Sequence, residues 1–273
     1  MKFTQDAGKD LDIFCKAFTA GKEQIGLARF GDGEERIYMG GTYHCSDGWV
    51  SRPSESSALR KRLGDSIRFS HPNYYVGFRH PRNLKLYCWA VKNVKTPPSR
   101  MFDPCLFVNS RWSKARKFFS KVRKNCFLVG SGEGVNYRIP ANCIEPEYNW
   151  KKLLDKLLTV KKPILLAAGP LANVLVMEYL ERGGKQSIID IGTVLDYEMF
   201  GKSTRRYMRI AMKKIKSKKS KRDKKKRPPR KKVKRRKPTK PPDKRKRVGR
   251  RPMGAVRAEA HLKKKRERGR NKK

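Results

Sequence analysis

The hydrophobic pattern of this chain alternates between a helical period and short, continuous apolar runs. From Asp10 to Phe18 the apolar residues Leu11, Ile13, Phe14, Ala17 and Phe18 fall at helical spacing, and Gly21 supplies a stop. A strand, Ile25 to Phe30, follows. Ser54 to Ile67 has the pattern of a second helix with a serine cap, "NYYVGF" and "LKLYCWAV" are strand-like, and a helix from Ser113 to Val122 leads to the strand "CFLVG". Helix Asn149 to Val160 then precedes "PILLAA", an apolar run suited to a strand buried on both faces. In "GPLANVLVMEYLERGG", Pro170 fits the first helical turn and Gly183-Gly184 the C-terminal cap, and the strand "SIIDIG" completes a βαβ unit. Strands alternating with helices predict an α/β fold: a Rossmann-like, mostly parallel sheet with helices on both faces, and ligands at the carboxyl ends of the strands.

The apolar pattern stops at Met212. The 61 residues from Lys213 onward hold 34 Lys and Arg against 4 Asp and Glu, a net +30 of the chain's +46. Too little there is apolar to offset the entropy of ordering, so composition predicts one folded domain over residues 1–212 and a disordered Lys, Arg and Pro-rich tail over residues 213–273. A domain of 212 residues is long enough to bury roughly 70% of its unfolded surface. Dense positive charge binds polyanions with salt-sensitive affinity, and nucleic acid is the expected partner of the tail, through Arg227, Arg230, Arg235, Arg236, Arg250 and Arg251 among others. "GRRP" at 249–252 has an Arg-Pro core of the kind that enters a minor groove, although one more basic patch would look the same.

Six cysteines without a C-x-x-C pair, and an amino terminus without a signal-peptide pattern, predict a reduced setting: cytoplasmic and nucleoid-associated, or nuclear in a eukaryotic host. The longest apolar run, Ile164 to Leu180, is broken by Gly169, Pro170, Asn173 and Glu178, so no membrane span is expected.

Against this basic background "ARFGDGEERIYMGG", residues 28–41, concentrates acids in a glycine-rich loop after a strand. Asp32 and Glu34, on either side of Gly33, can offer hard oxygen ligands to Mg²⁺ or Mn²⁺. A cation held there can stabilise a departing nucleoside diphosphate, the leaving group of sugar transfer. The competing reading is that the two acids only form a turn and cap a helix starting near Glu35. Spacing alone favours that reading.

"RFGDGE" at 29–34, together with "AAGPLANVLVMEYLERGGKQSIIDIGTVLDYEMF" at 167–200, resembles the GT-D fold glycosyltransferase family, formerly a domain of unknown function. The order of elements over residues 10–200 resembles the family too, but the likeness is close only in these two blocks. The resemblance implies a divalent metal and a nucleotide-sugar donor such as UDP-glucose, with Asp32 and Glu34 as the catalytic metal-binding pair. It further implies that Arg29, Gly31, Gly33, Gly169, Pro170, Asp190, Gly192, Tyr197 and Glu198 line the donor. Leu171 and Thr193 depart from the family's usual threonine and histidine, which leaves the catalytic base unassigned; Glu133, Glu145 and Glu147 are candidates.

Three function classes follow. The first is a metal-dependent glycosyltransferase whose acceptor is a hydroxylated base in DNA, as in viral genome modification; Trp49, Tyr74, Tyr75, Trp89 and Trp112 could then stack on bases, although most of these aromatics are expected in the core. The second modifies protein or cell-surface glycan. The third is an inactive nucleic-acid-binding or compacting protein. "GSGEG" at 130–134 lacks a phosphate-loop pattern and is expected to be a plain loop, and His44, Cys45, His71 and His80 match no common zinc spacing.

Overall fold

The computed structural model describes residues 1–4, 6–44, 50–51, 57–78, 93–140 and 149–226; at Ala7, Asp32, Tyr43, Ser51, Ser57, Lys216 and from Lys218 onward it describes the backbone only. Residues 1–226 form one compact unit. The expected strand at 84–91, and the candidates Cys45, His80, Trp49, Trp89, Glu145, Glu147 and the six tail arginines, lie outside the described residues.

Helix α1 (Ala7–Ala20) begins where Asp6 accepts hydrogen bonds from the N–H groups of Gly8 and Lys9, which hold its carboxyl below the usual range, and it ends at the left-handed Gly21. Strand β1 (Gly26–Phe30) follows, then α2 (Asp32–Tyr38), the short antiparallel pair β2 (Tyr43–His44) and β3 (Val50–Ser51), α3 (Ser57–Arg68) and β4 (Tyr74–Phe78). After short 3-10 turns and β5 (Met101–Phe102) come α4 (Trp112–Val122), β6 (Phe127–Gly130) and β7 (Tyr137–Arg138). The chain then runs through α5 (Trp150–Leu158), β8 (Ile164–Ala167), α6 (Leu171–Glu181), β9 (Ile188–Asp190), α7 (Asp196–Phe200) and α8 (Arg206–Lys226).

Seven strands make one sheet in the order β5-β4-β1-β9-β8-β6-β7, and every neighbouring pair is parallel. Side chains alternate across it. Ala28, Tyr74, Val76 and Leu166 face a core built with α2, α3, α5 and α6, whereas Leu27, Tyr75, Leu128, Leu165 and Ile189 face a second core with α1, α4, α7 and α8. Helix α6 is buried from Leu171 to Leu180, which explains why its apolar residues run almost without a polar stripe. The buried Asn173 and Glu178 within it are both engaged: Asn173 bonds to β1, and Glu178 pairs with Arg62 at 2.6 Å.

The α/β fold is present, as are the expected elements that fall on described residues, and the last helix runs past residue 212. Helix α8 carries 213–226, part of the segment expected to be disordered, and stops two residues before Pro228. Lys and Arg are good helix formers, and the first turns of α8 are anchored: Met208 is fully buried, and Tyr207, Ala211 and Met212 pack on the second core. An anchored nucleus lets a helix propagate into sequence that would not start one.

Candidate functional site

The site is built where β1 and β9 lie side by side. After β1 the chain turns to α2 on one face of the sheet; after β9, Ile191, Val194 and Leu195 lead to α7 on the other. Neighbouring strands whose continuations diverge to opposite faces define the switch point at which open α/β sheets bind ligands.

Arg29, next to last in β1, spans this point. Its Nε donates to the Asp190 carbonyl at 3.0 Å and stands 3.2 Å from Asp190 Oδ2, while Nη2 lies 3.4 Å from Oδ1. Nη1 donates to the Pro104 carbonyl at 3.2 Å, and the guanidinium lies over the Phe107 ring. Side-chain exposure is only 12% for Arg29 and 5% for Asp190, so the pair is a desolvated one in which each charge depends on the other. The Gly192 N–H also donates to Asp190 Oδ1, at 2.8 Å. Gly192 has φ +51, and a Cβ there would stand 1.9 Å from Arg29 Nη2, so glycine is what lets the guanidinium reach Asp190.

The backbone of Arg29 is held as firmly. Asn173, fully buried on α6, accepts from the Arg29 N–H at 3.0 Å and donates to the Arg29 carbonyl at 2.9 Å. Pattern reasoning passed over Asn173, whose only signal was a polar residue inside the most apolar helix of the chain.

Glu34 sits in the first turn of α2. Its Oε2 accepts from the Gly31 N–H at 2.8 Å, so this acid does cap a helix, one that begins at Asp32 rather than near Glu35. Capping does not exhaust its role. Desolvation pushes the Glu34 carboxyl up to about 7, and the neighbouring Asp190 charge adds to the rise, against smaller opposing effects of nearby N–H groups and Arg29. Arg29 is engaged with Asp190, and among the described residues no ion pair within 4.0 Å forms at the Glu34 carboxylate. Asp190 is raised by burial as well, against the pull of Arg29 and the Gly192 N–H.

The structure thus brings together Arg29, Gly31, Glu34, Asp190 and Gly192, and Asp32 starts the helix that carries Glu34. Nearby in the sheet, β8 ends and the left-handed Gly169 and then Pro170 open α6, whose first turn has no side-chain cap. Tyr197 and Glu198 are placed differently from the rest. Arg116 on α4 lies 4.9 Å from the Tyr197 ring centroid, and Glu198 accepts from Arg116 Nε at 2.6 Å and from Ser120 at 2.9 Å. These two residues fasten α7 to α4. Thr193 hydrogen-bonds the Tyr207 hydroxyl at 2.9 Å.

Of the aromatics considered for base stacking, Tyr74, Tyr75 and Trp112 are at most 3% exposed and belong to the core. "GSGEG" is a loop after β6 with no helix behind it. Among the described residues no group of three or more His, Cys, Asp and Glu gathers as a metal cluster, and no helix is long and apolar enough to cross a membrane.

No protein-family model and no curated protein matches the chain. Among solved structures it is similar to a domain of unknown function 1792 described as having a distinct glycosyltransferase fold, at 18% identity and TM-score 0.43 over 69% of this chain and 79% of that one. It is also similar to a glycosyltransferase of the same domain from Streptococcus sanguinis, at 16% identity and TM-score 0.45 over 72% and 83% of the two chains.

Proposed function

We propose that the β1–β9 switch point binds a nucleotide-sugar donor and transfers its sugar to an acceptor hydroxyl. The observation that carries this reading is the Arg29–Asp190 clamp, which fixes the "RFGDGE" loop at the ligand-binding end of the sheet with the desolvated Glu34 carboxyl beside it. In the transfer, the bond from the anomeric carbon to the diphosphate oxygen breaks, the acceptor oxygen takes its place and loses its proton, and the nucleoside diphosphate departs.

The donor set suits a divalent cation. Asp190 already accepts from Arg29 and the Gly192 N–H, and the desolvated Glu34 carboxyl is the kind of group whose burial cost a cation would offset. Asp32 and Glu34 would hold Mg²⁺ or Mn²⁺, which supplies Lewis acidity toward the departing diphosphate when bound. The chain's own groups do the rest. The start of α6, where no side chain caps the helix, suits a diphosphate, Gly31 allows close backbone approach, and Asn173 with the Arg29–Asp190 clamp keeps β1 and β9 in register beneath the reacting groups. The basic segment 227–273 would serve location, holding the enzyme on nucleic acid.

The test is transfer of label from a panel of nucleotide sugars, with Mn²⁺ or Mg²⁺, to plain DNA, hydroxymethylated DNA and a protein control. Metal-dependent labelling of one acceptor, lost in Asp32→Asn, is the expected result. Turnover retained in Asp32→Asn would remove the metal role, and no turnover with any donor would favour an inactive nucleic-acid-binding protein.

A further inference from the structure

Helix α8 joins two features that are usually separate. At its root, the Tyr207 hydroxyl is hydrogen-bonded to Thr193, the residue after Gly192, and the Tyr207 ring meets Trp112, whose Nε1 donates to the Val194 carbonyl at 3.1 Å. Burial raises the Tyr207 phenol above its usual range, and the Thr193 hydrogen bond, Arg205 and Arg29 oppose that rise. The root of α8 therefore stands against the loop that cradles the clamp. Beyond Met212 the helix changes character: its last 14 residues, 213–226, hold ten Lys and Arg, one Asp and one apolar residue, Ile215. At 1.5 Å per residue that is roughly 20 Å of rod.

Ten like charges on four turns repel one another, and i,i+4 like-charge pairs destabilise a helix, so this half of α8 calls for an anionic partner. Its chemistry selects which one. The absence of any aromatic from 213–226 removes the stacking platform that single strands use. Basic positions occur on every side of the helix rather than on one face, which suits a rod flanked by phosphates on two sides and not a flat anionic surface. A helix about 10–12 Å across matches the B-DNA major groove, about 12 Å wide, whereas the A-form groove is too narrow and deep.

We propose that α8 is a docking strut for duplex DNA, which binds its polycationic half and is thereby brought to the β1–β9 switch point at its root. Resting on the sugar-transfer reading, this makes the acceptor a group on duplex DNA. The docking itself needs no turnover, so the two can fail separately.

The experiment is hydrogen exchange of the full chain with a 20-base-pair duplex, with a single strand of the same length, and with phosphatidylserine vesicles. Duplex should slow exchange in 213–226 and in the 191–194 loop, more than the other two probes do. Changing Lys213, Lys214, Lys216, Lys218, Lys219 and Lys221 to Gln should abolish that protection and lower the slope of log affinity against log salt by about 5, since each phosphate contact contributes about 0.9. Tyr207→Phe should keep protection of 213–226 and lose that of the 191–194 loop. Protection confined to residues beyond 226, or equal protection by vesicles or single strands, would overturn the proposal. So would protection of 213–226 in the unsubstituted chain with none at 191–194.

Discussion

Asn173 and Gly192 determine whether Arg29 can do its work. Asn173→Ala would leave the buried N–H and carbonyl of Arg29 without partners, at about 1–3 kcal/mol each, and Asn173→Asp would set a buried carboxylate oxygen against the Arg29 carbonyl oxygen. Chemical denaturation should show a lowered midpoint for both variants, and an unchanged midpoint in either would contradict the role of Asn173. Gly192→Ala places a side chain on a left-handed backbone at about 1–3 kcal/mol and pushes into Arg29, so it should destabilise the fold and weaken donor binding together. A Gly192→Ala protein with unchanged midpoint and donor affinity would contradict the clamp. The thiols offer an independent check: burial pushes Cys15 up to about 12 and Cys126 up to about 11, so at pH 8 both should alkylate about a hundredfold or more slower in the folded protein than after unfolding.

Among elements, α7 separates what a motif suggests from what packing requires. Tyr197 and Glu198 stand in a segment that resembles a donor-binding motif, yet both are engaged by Arg116 of α4. Glu198→Gln should lower thermal stability with the KM for donor unchanged; a raised KM at unchanged stability would return Glu198 to the donor site. Most of the elements were legible because period and punctuation agree: Gly21 ends α1, and Pro170 and Gly183 bound α6, although the cap at Asp6 was not read. The short strands β5 and β7 and the 3-10 turns between 98 and 111 were not, since two-residue strands and single turns carry no period. Helix α8 was hidden for another reason. Composition reports what a segment can bury, not what a neighbouring anchor can nucleate, and Tyr207, Met208 and Met212 supply that anchor from outside the basic run.

For the whole molecule, charge and chemistry are segregated. A chain of net +46 keeps Glu34 and Asp190 at one end of its parallel sheet and places its densest positive charge beyond Met212. The acidic loop was visible in sequence because acids there contrast with everything around them, but the division of labour within it was not. The resemblance gives Asp32 and Glu34 to a metal and Arg29 to the donor; the fold pairs Arg29 with Asp190, 161 residues away. Only the sheet order, which sets β9 beside β1, could reveal that exchange.

The most direct test of that account is the rate of nucleoside diphosphate release from nucleotide sugars in the presence of Mn²⁺, compared between the unsubstituted chain and Glu34→Gln. The amide keeps an oxygen for the Gly31 N–H and removes the charge, so circular dichroism should be unchanged while release falls at least a hundredfold. Equal release by the two proteins would contradict the central claim, because a switch point that turns over donor without the Glu34 carboxylate does not use it for chemistry.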